Sequence, residues 1–596
     1  MHRKPMPWIP LLRPMISATF VPLWCCLALA AGADDGDPRN LRAGLPIPDE
    51  GYCDQPYVVI TKDGHWLCTM TTGPGREGQK GQHVVATITA DRGRSWSKLI
   101  DIEPSAGPEA SWIVPLLVPS GRVYGFYTYN GDRVDTLRGK PCRADVHGWY
   151  VYKYSDDHGR TWSERHRVPL RVTACDRGND WQGQVQIFWG IDKPNTFGGD
   201  AVWAFTKLGK YMLELGEGWV WRSDNILSES DPAKLHWQLL PLGDHGIRRA
   251  EFGSVQEEHN LVPLSDGSLY CVYRTGLGFP CHTYSRDGGR TWTTPEPMTY
   301  TPGGRKFKTP RACPMVWRTR EGKYLFWFHN NTGKGPNFWM GRNPVWIAGG
   351  LEKDGHLHWS QPEILLFDPD PRVGMSYPDL IEQDGEYWVT ETQKTIARVH
   401  PVDKTLLDGL WSQGERKTVA QQGLLLQTGP QAASGALALP KALNLAESSG
   451  LTVEAWVRFD DLRAGQVIVD GRTAEGHGLA LLTGEQGTVR IELSDGHAKA
   501  ACHTDPGLLK PKTLHHLVAI ADSGPKVLSF VVDGLLCDGG DADIAGWTRF
   551  PPELGDVSGS RSLRLAQGLR GELRRLRVYD RYLRTSEAVS HFHAGP

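Results

Sequence analysis

Between residues 50 and 410 apolar and polar positions alternate in short runs with a period of two. That is the pattern of strands buried on one face. Six stretches show it on both sides of a turn signal: VVITKDGHWLCTM (58–70), IVPLLVPSGRVYGFYTY (113–129), AVWAFTKLGKYMLEL (201–215), LVPLSDGSLYCVYR (261–274), MVWRTREGKYLFWFH (315–329) and LIEQDGEYWVTE (380–391). Each predicts a β-hairpin. Long helical periodicity is nearly absent from this region.

A second pattern overlies the first. TADRGRSW, SDDHGRTW and SRDGGRTW share the frame [Ser/Thr]-x-Asp-x-Gly-x-[Ser/Thr]-Trp and start at residues 89, 155 and 285. One gap is 66 residues and the other 130, about twice as long, so one repeat lacks a good copy. LEKDGHLHW (351–359) reads as a decayed fourth copy. In such a frame Asp accepts backbone N–H bonds within a turn, Gly takes a left-handed conformation and Trp packs between sheets. Six four-stranded units over residues 45–412 predict an all-β fold, a six-bladed β-propeller.

The rhythm stops over residues 413–432, read as a linker. Alternating strands with Gly-rich turns resume over 433–596, in LTVEAWVRF (451–459), TVRIELSDG (488–496) and LHHLVAIADSGPKVLSFVVDGLLC (514–537), and predict a C-terminal β-sandwich (jelly roll). At the other end, His2, Arg3, Lys4 and Arg13 precede the apolar run ISATFVPLWCCLALAA (16–31), followed by small-residue cleavage sites. Residues 1–33 therefore read as a signal peptide, and the mature protein is expected to be secreted, periplasmic or extracellular, without stable membrane insertion.

Charge and cysteine content narrow the classes. A formal net charge of −2 gives no footprint for a nucleic-acid partner. Of 11 Cys, Cys25 and Cys26 lie in the apolar leader, and the nine that remain are too few for a disulfide scaffold. None has metal-type spacing. Cys502 and Cys537 are the pair that a bridge within the last domain would join.

In a propeller the starts of the innermost strands crowd one mouth of the central axis. Those starts fall near Asp54, Glu109, Asp192-Lys193, Glu258-His259, Lys308–Arg311 and Ser376-Tyr377. Polar groups of both signs converge there, as a polar ligand would require.

Three repeats of the Asp frame on a six-bladed propeller resemble the sialidase (neuraminidase) superfamily, over about residues 50–410. EEHNLVPLSDGSLYCVYR resembles the segment carrying that family's catalytic Glu and second Arg, which implies Glu258 and Arg274. GMSYPDLIEQDGEYWVTE resembles the segment carrying its catalytic Tyr and a supporting Glu, which implies Tyr377 and Glu391. Arg342 in GRNPVW stands where the third Arg is placed. The resemblance implies an exo-glycosidase acting on glycans or glycoconjugates, with sialic acid the default terminal sugar. Arginines would grip the substrate carboxylate. A neutral Tyr would serve as nucleophile, deprotonated by Glu.

The chain departs from that pattern twice. In GYCDQPYVVITKDG, Asp54 stands where the first Arg is expected, so Lys308 or Arg311 is the substitute cation, and Asp54 is expected to face Glu391 as a carboxylate pair. Such a pair is also an acid and base for ordinary glycoside hydrolysis. The loop TTGPGREGQKGQH (71–83), where the acid/base Asp should lie, offers only Glu77, with Glu109 and Asp192 in reserve. The alternative is a non-catalytic glycan-binding or adhesion protein on the same propeller. The C-terminal segments SGLTVEAWVRF, VVDG and GELRRLRVYDRYLRTSEA resemble the laminin-G-like, concanavalin-A-like jelly-roll family, whose members bind glycans or act as spacers. Some hold calcium, but no acidic cluster marks a metal site here, and no cofactor is expected.

Overall fold

The six alternating stretches fold as antiparallel pairs. Tyr52–Ile60 pairs with Trp66–Gly73, Ala110–Leu117 with Val123–Tyr129, Asp200–Lys210 with Glu214–Ser223, Gln256–Pro263 with Leu269–Thr275, Met315–Arg318 with Tyr324–Phe328, and Ser376–Gln383 with Glu386–Thr392. The structure is a computed structural model and describes residues 36–333, 341–429 and 434–596; the expected signal peptide lies outside the described residues. Among the described residues no helix is long and apolar enough to cross a membrane.

Each pair is the centre of one blade. In five blades it supplies the two inner strands. In the third, the inner strand is the interrupted run Gln186–Trp189 and Asn195–Phe197, and the hairpin supplies the next two. The sixth blade is completed from the other end of the sequence, where Leu45–Ile47 pairs with Ala397–Val402. Blades are also stapled by side chains that accept a neighbour's backbone N–H. Asp192 takes Leu261 N–H at 3.2 Å, Asn260 takes Val316 N–H at 3.0 Å, and Asp379 takes Val58 N–H at 2.7 Å. The last of these joins the sixth blade to the first. Asp192 is thus a blade-to-blade acceptor and no reserve acid.

The three copies of the Asp frame make one turn three times. The carboxylates of Asp91, Asp157 and Asp287 accept the backbone N–H four residues on at 2.8, 2.8 and 2.9 Å. The hydroxyls of Thr89, Ser155 and Ser285 accept the N–H of Gly93, Gly159 and Gly289. Trp96, Trp162 and Trp292 pack on apolar clusters shared by adjacent blades. The expected fourth copy is something else. Asp354-Gly355 is the two-residue loop of a hairpin between Val345–Lys353 and His356–Trp359, with φ of +52° and +69°. Asp-Gly suits that tight turn as well as it suits the frame, which is why the sequence misleads.

The C-terminal region stacks two sheets over one apolar core. Leu424–Gln427, inside the expected linker, is a strand of the first sheet and pairs with Gly571–Tyr579. The outer face of that sheet is not free. Val518, Ile520, Val531 and Tyr579 share a cluster with Phe326, Phe328 and Trp346 of the fifth blade. Arg39, just before the first propeller strand, pairs with Asp522 of the sandwich at 2.7 Å. Cys502 and Cys537 are buried free thiols, so the bridge between them is not formed.

Candidate active site

Four inner strands enter the hub through the same irregularity. Register slips between Asp54 and Tyr57, Ser111 and Val114, Glu257 and Asn260, and Ser376 and Asp379. At each slip one residue is left-handed: Gln55 (φ +53°), Trp112 (+64°), Glu258 (+57°) and Tyr377 (+48°). A bulge interrupts strict alternation and re-aims side chains, so the consecutive Glu257 and Glu258 both serve the hub. Left-handed backbone at bulky residues costs on the order of 1–3 kcal/mol and is found where it is used.

At the centre, the Tyr377 hydroxyl donates to Glu258 Oε1 at 2.6 Å. Arg274 Nη1 lies 2.7 Å from the same oxygen, while Glu258 Oε2 is buried without a hydrogen-bond partner. Burial, and then the Glu258 charge, push the Tyr377 phenol well above its ordinary value, against the pull of Arg274. The phenol therefore rests protonated, with its proton aimed at a carboxylate able to take it. The Trp112 ring packs edge-on, its centroid 6.1 Å from that of Tyr377.

One side of this couple is rich in arginine. Glu257 accepts Arg274 at 2.7 and 2.9 Å and Arg311 at 3.0 Å. Arg342 donates to Ser376 Oγ at 2.8 Å and to the Arg311 carbonyl at 2.9 Å. Among the described residues no carboxylate pairs with Arg342, and its Nε has no hydrogen-bond partner.

The other side is a chain of alternating charge. Lys394 Nζ lies 2.5 Å from Asp54 and 3.2 Å from Glu77; Arg143 lies 2.9 Å from Glu77 and 2.6 Å from Asp145. Tyr52 OH also donates to Asp54, at 2.9 Å. Burial raises the Asp54 carboxyl to about 6; Lys394 opposes that and Glu77 adds to it. Burial also penalises the Glu77 charge, but Lys394 and Arg143 outweigh it and hold that carboxyl at about 2.

A model of the "BNR repeat-like domain" matches residues 199–389, and one of the "Concanavalin A-like lectin/glucanases superfamily" matches residues 431–589. Human Sialidase-4 is 29% identical over 176 residues, which is 28% of this chain and 35% of that protein. The chain thus matches about a third of the length of that curated relative. The fold is sialidase-like, with a concanavalin A-like domain after it. Among solved structures, a Trypanosoma rangeli sialidase in complex with 2,3-difluorosialic acid aligns over 93% of this chain and 96% of its own, at 14% identity and a TM-score of 0.43. A protein of unknown function from Dyadobacter fermentans aligns over 60% and 97%, at 14% identity and a TM-score of 0.44.

Within this sialidase-like propeller the hub brings together Tyr377, Glu258, Arg274, Arg311, Arg342, Asp54 and Glu77. Two expectations fail. Glu391 does not face Asp54: its carboxylate takes Gln393 Nε2 at 2.6 and 2.8 Å and His400 Nε2 at 3.3 Å. The carboxyl coupled to Asp54 is Glu77, through the shared Lys394, so the proposed Asp54–Glu391 acid/base pair is absent. Lys308 is not a substitute cation in the hub. Its ammonium takes the carbonyls of Asp538, Gly540 and Asp543 in the sandwich, at 2.5–2.8 Å. Glu77, so strongly ionised, is a poor proton donor. Sequence reasoning missed Glu257, Arg143 and Lys394. The double Glu before the fourth inner strand is a usable signal for Glu257; Lys394 looks like any turn lysine. Among the described residues no group of three or more His, Cys, Asp or Glu is placed to hold a metal ion.

Proposed function

We propose that the protein is an exported glycoside hydrolase that removes a terminal sugar, sialic acid first among the choices, from glycans or glycoconjugates. The observation that carries this reading is the 2.6 Å contact between the Tyr377 hydroxyl and Glu258 at the mouth of the propeller. Glu258 takes the phenol proton as the Tyr377 oxygen bonds to the anomeric carbon, and the aglycone leaves with the electrons of the glycosidic bond. Water then attacks the same carbon and gives up a proton to solvent, matching the proton the departed aglycone anion takes from solvent, while Glu258 returns its proton to the tyrosine oxygen as that bond breaks. Arg274 pairs with Glu258 at 2.7 Å and holds that carboxylate beside the phenol. A tyrosine suits an anionic sugar, because it attacks without bringing a full negative charge to the carboxylate.

The test is release of the aryl alcohol from an aryl α-sialoside, beside a panel of neutral aryl glycosides, by the wild type and by Tyr377→Phe. Turnover that vanishes in the folded variant supports the reading. Full activity in Tyr377→Phe removes it, and glycan retention without any turnover points instead to a binding protein.

A further inference from the structure

We propose that Lys394 is a further cation that receives the anionic group of the substrate, beside the Tyr377 ring, with Asp54 and Glu77 as its holders. This rests on the reading of the hub as a glycosidase site and adds a specificity-determining residue to it.

The argument begins with layering. Asp54, Asp145 and Glu257 are buried beneath their cations: side-chain exposure is 1% for Asp54 against 25% for Lys394, 1% for Asp145 against 25% for Arg143, and 0% for Glu257 against 15% for Arg311. Glu77, at 30%, is the exception, so the face offered to a ligand on that side carries two cations, Lys394 and Arg143, beside one carboxylate. Lys394 stands closest to the chemistry of the cations on its side. Its Nζ lies 4.2 Å from the centroid of the Tyr377 ring and 5.7 Å from that of Trp112. An ammonium has three N–H donors. Asp54 and Glu77 take two of them, which leaves the third for a ligand.

Delivery is built into the backbone. Thr392 OH donates to the Cys53 carbonyl at 2.8 Å, and the Lys394 carbonyl accepts Cys53 N–H at 3.1 Å. The turn after Glu386–Thr392 is thereby fixed to the first inner strand beside Asp54. Lys394 itself is left-handed, with φ of +73°. An aspartate at position 54 on one blade thus holds a cation supplied by another.

The probe is 2-deoxy-2,3-didehydro-N-acetylneuraminic acid and its methyl ester, titrated against wild type, Lys394→Met and Lys394→Arg. The wild type is expected to prefer the acid. Lys394→Met should weaken the acid by about tenfold or more, as loss of a charge-assisted bond does, and leave the ester unchanged. Lys394→Arg should recover most of the loss. Equal losses for acid and ester, or no loss of the acid, would overturn the role of Lys394 alone. A wild type that binds neither compound removes the sialic acid reading together with this one.

Discussion

Tyr377 and Glu258 lie 119 residues apart in sequence and 2.6 Å apart at the hub. Both sit at bulges with left-handed backbone. The approach requires the ring to close, which the Leu45–Ile47 strand and the Asp379–Val58 staple achieve. The couple predicts a sharp asymmetry among variants. Glu258→Gln keeps the shape but cannot take a proton, so kcat should fall by about 10²–10⁴, with little change in KM. Tyr377→Phe should lose turnover altogether. Rates on an aryl glycoside, with circular dichroism to show folding, check both.

How much of this was legible in the sequence depends on distance along the chain. Hairpins announce themselves locally through alternation and D-G turns, so the blades can be counted from the sequence. Glu258 and Arg274 came from the family resemblance of one hairpin segment, EEHNLVPLSDGSLYCVYR. Lys394 could not be found that way, because its meaning lies in Asp54, 340 residues away. Glu391 was misjudged for a related reason. Its partner was assigned by analogy, whereas Gln393 and His400, close by on the same hairpin, already satisfy it. The strand Leu424–Gln427 was hidden because its partner lies at Gly571–Tyr579.

Asp54 and Glu77 should give stability opposite dependences on pH. Asp54, raised from 3.8 to about 6 chiefly by burial, is bound to its proton more tightly in the folded state. Its favourable contribution is complete below about 4 and disappears as pH rises through 6. Glu77, lowered from 4.5 to about 2, contributes above 4.5 and loses its effect as pH falls toward 2. Relative to the wild type, Asp54→Asn should therefore gain stability between pH 4 and 6, by on the order of 3 kcal/mol at most, and Glu77→Gln should gain it between pH 4.5 and 2. Urea unfolding across pH checks the two slopes; parallel curves for wild type and variants would contradict them.

The repeated Asp turn is predicted to serve the fold alone. Asp157 accepts Thr161 N–H at 2.8 Å, Thr161 Oγ1 at 2.7 Å and Ser155 Oγ at 2.8 Å, far from the hub in function. Asp157→Ala should cost about 1–2 kcal/mol and leave kcat/KM unchanged at a temperature where the variant is folded. Gly159→Ala should cost more. Its φ is +88°, and a Cβ there would lie 2.4 Å from Leu67 Cδ1. Thermal unfolding of the two variants ranks them.

The sandwich should influence the site through the segments that carry its arginines. Lys308, three residues before Arg311, is held by the carbonyls of Asp538, Gly540 and Asp543. The same sandwich turn accepts Thr332 N–H through the Ile544 carbonyl at 2.9 Å, and Arg549 donates to Asn343, next to Arg342, at 2.9 Å. Lys308→Met removes a charged donor from three carbonyls and should loosen the turn at 538–546 first, seen as faster amide hydrogen exchange there. Arg311 would then be less well placed. In the proposed mechanism it binds substrate without taking part in bond breaking, so the expected kinetic effect is a higher KM at nearly constant kcat, about tenfold for each 1.4 kcal/mol of binding lost. A fall in kcat with KM unchanged would mean instead that the sandwich acts on Tyr377 and Glu258 through their chain neighbours Ser376 and Glu257, which Arg342 and Arg311 touch. An unchanged KM with faster exchange at 538–546 would show that the two regions are packed together without being coupled.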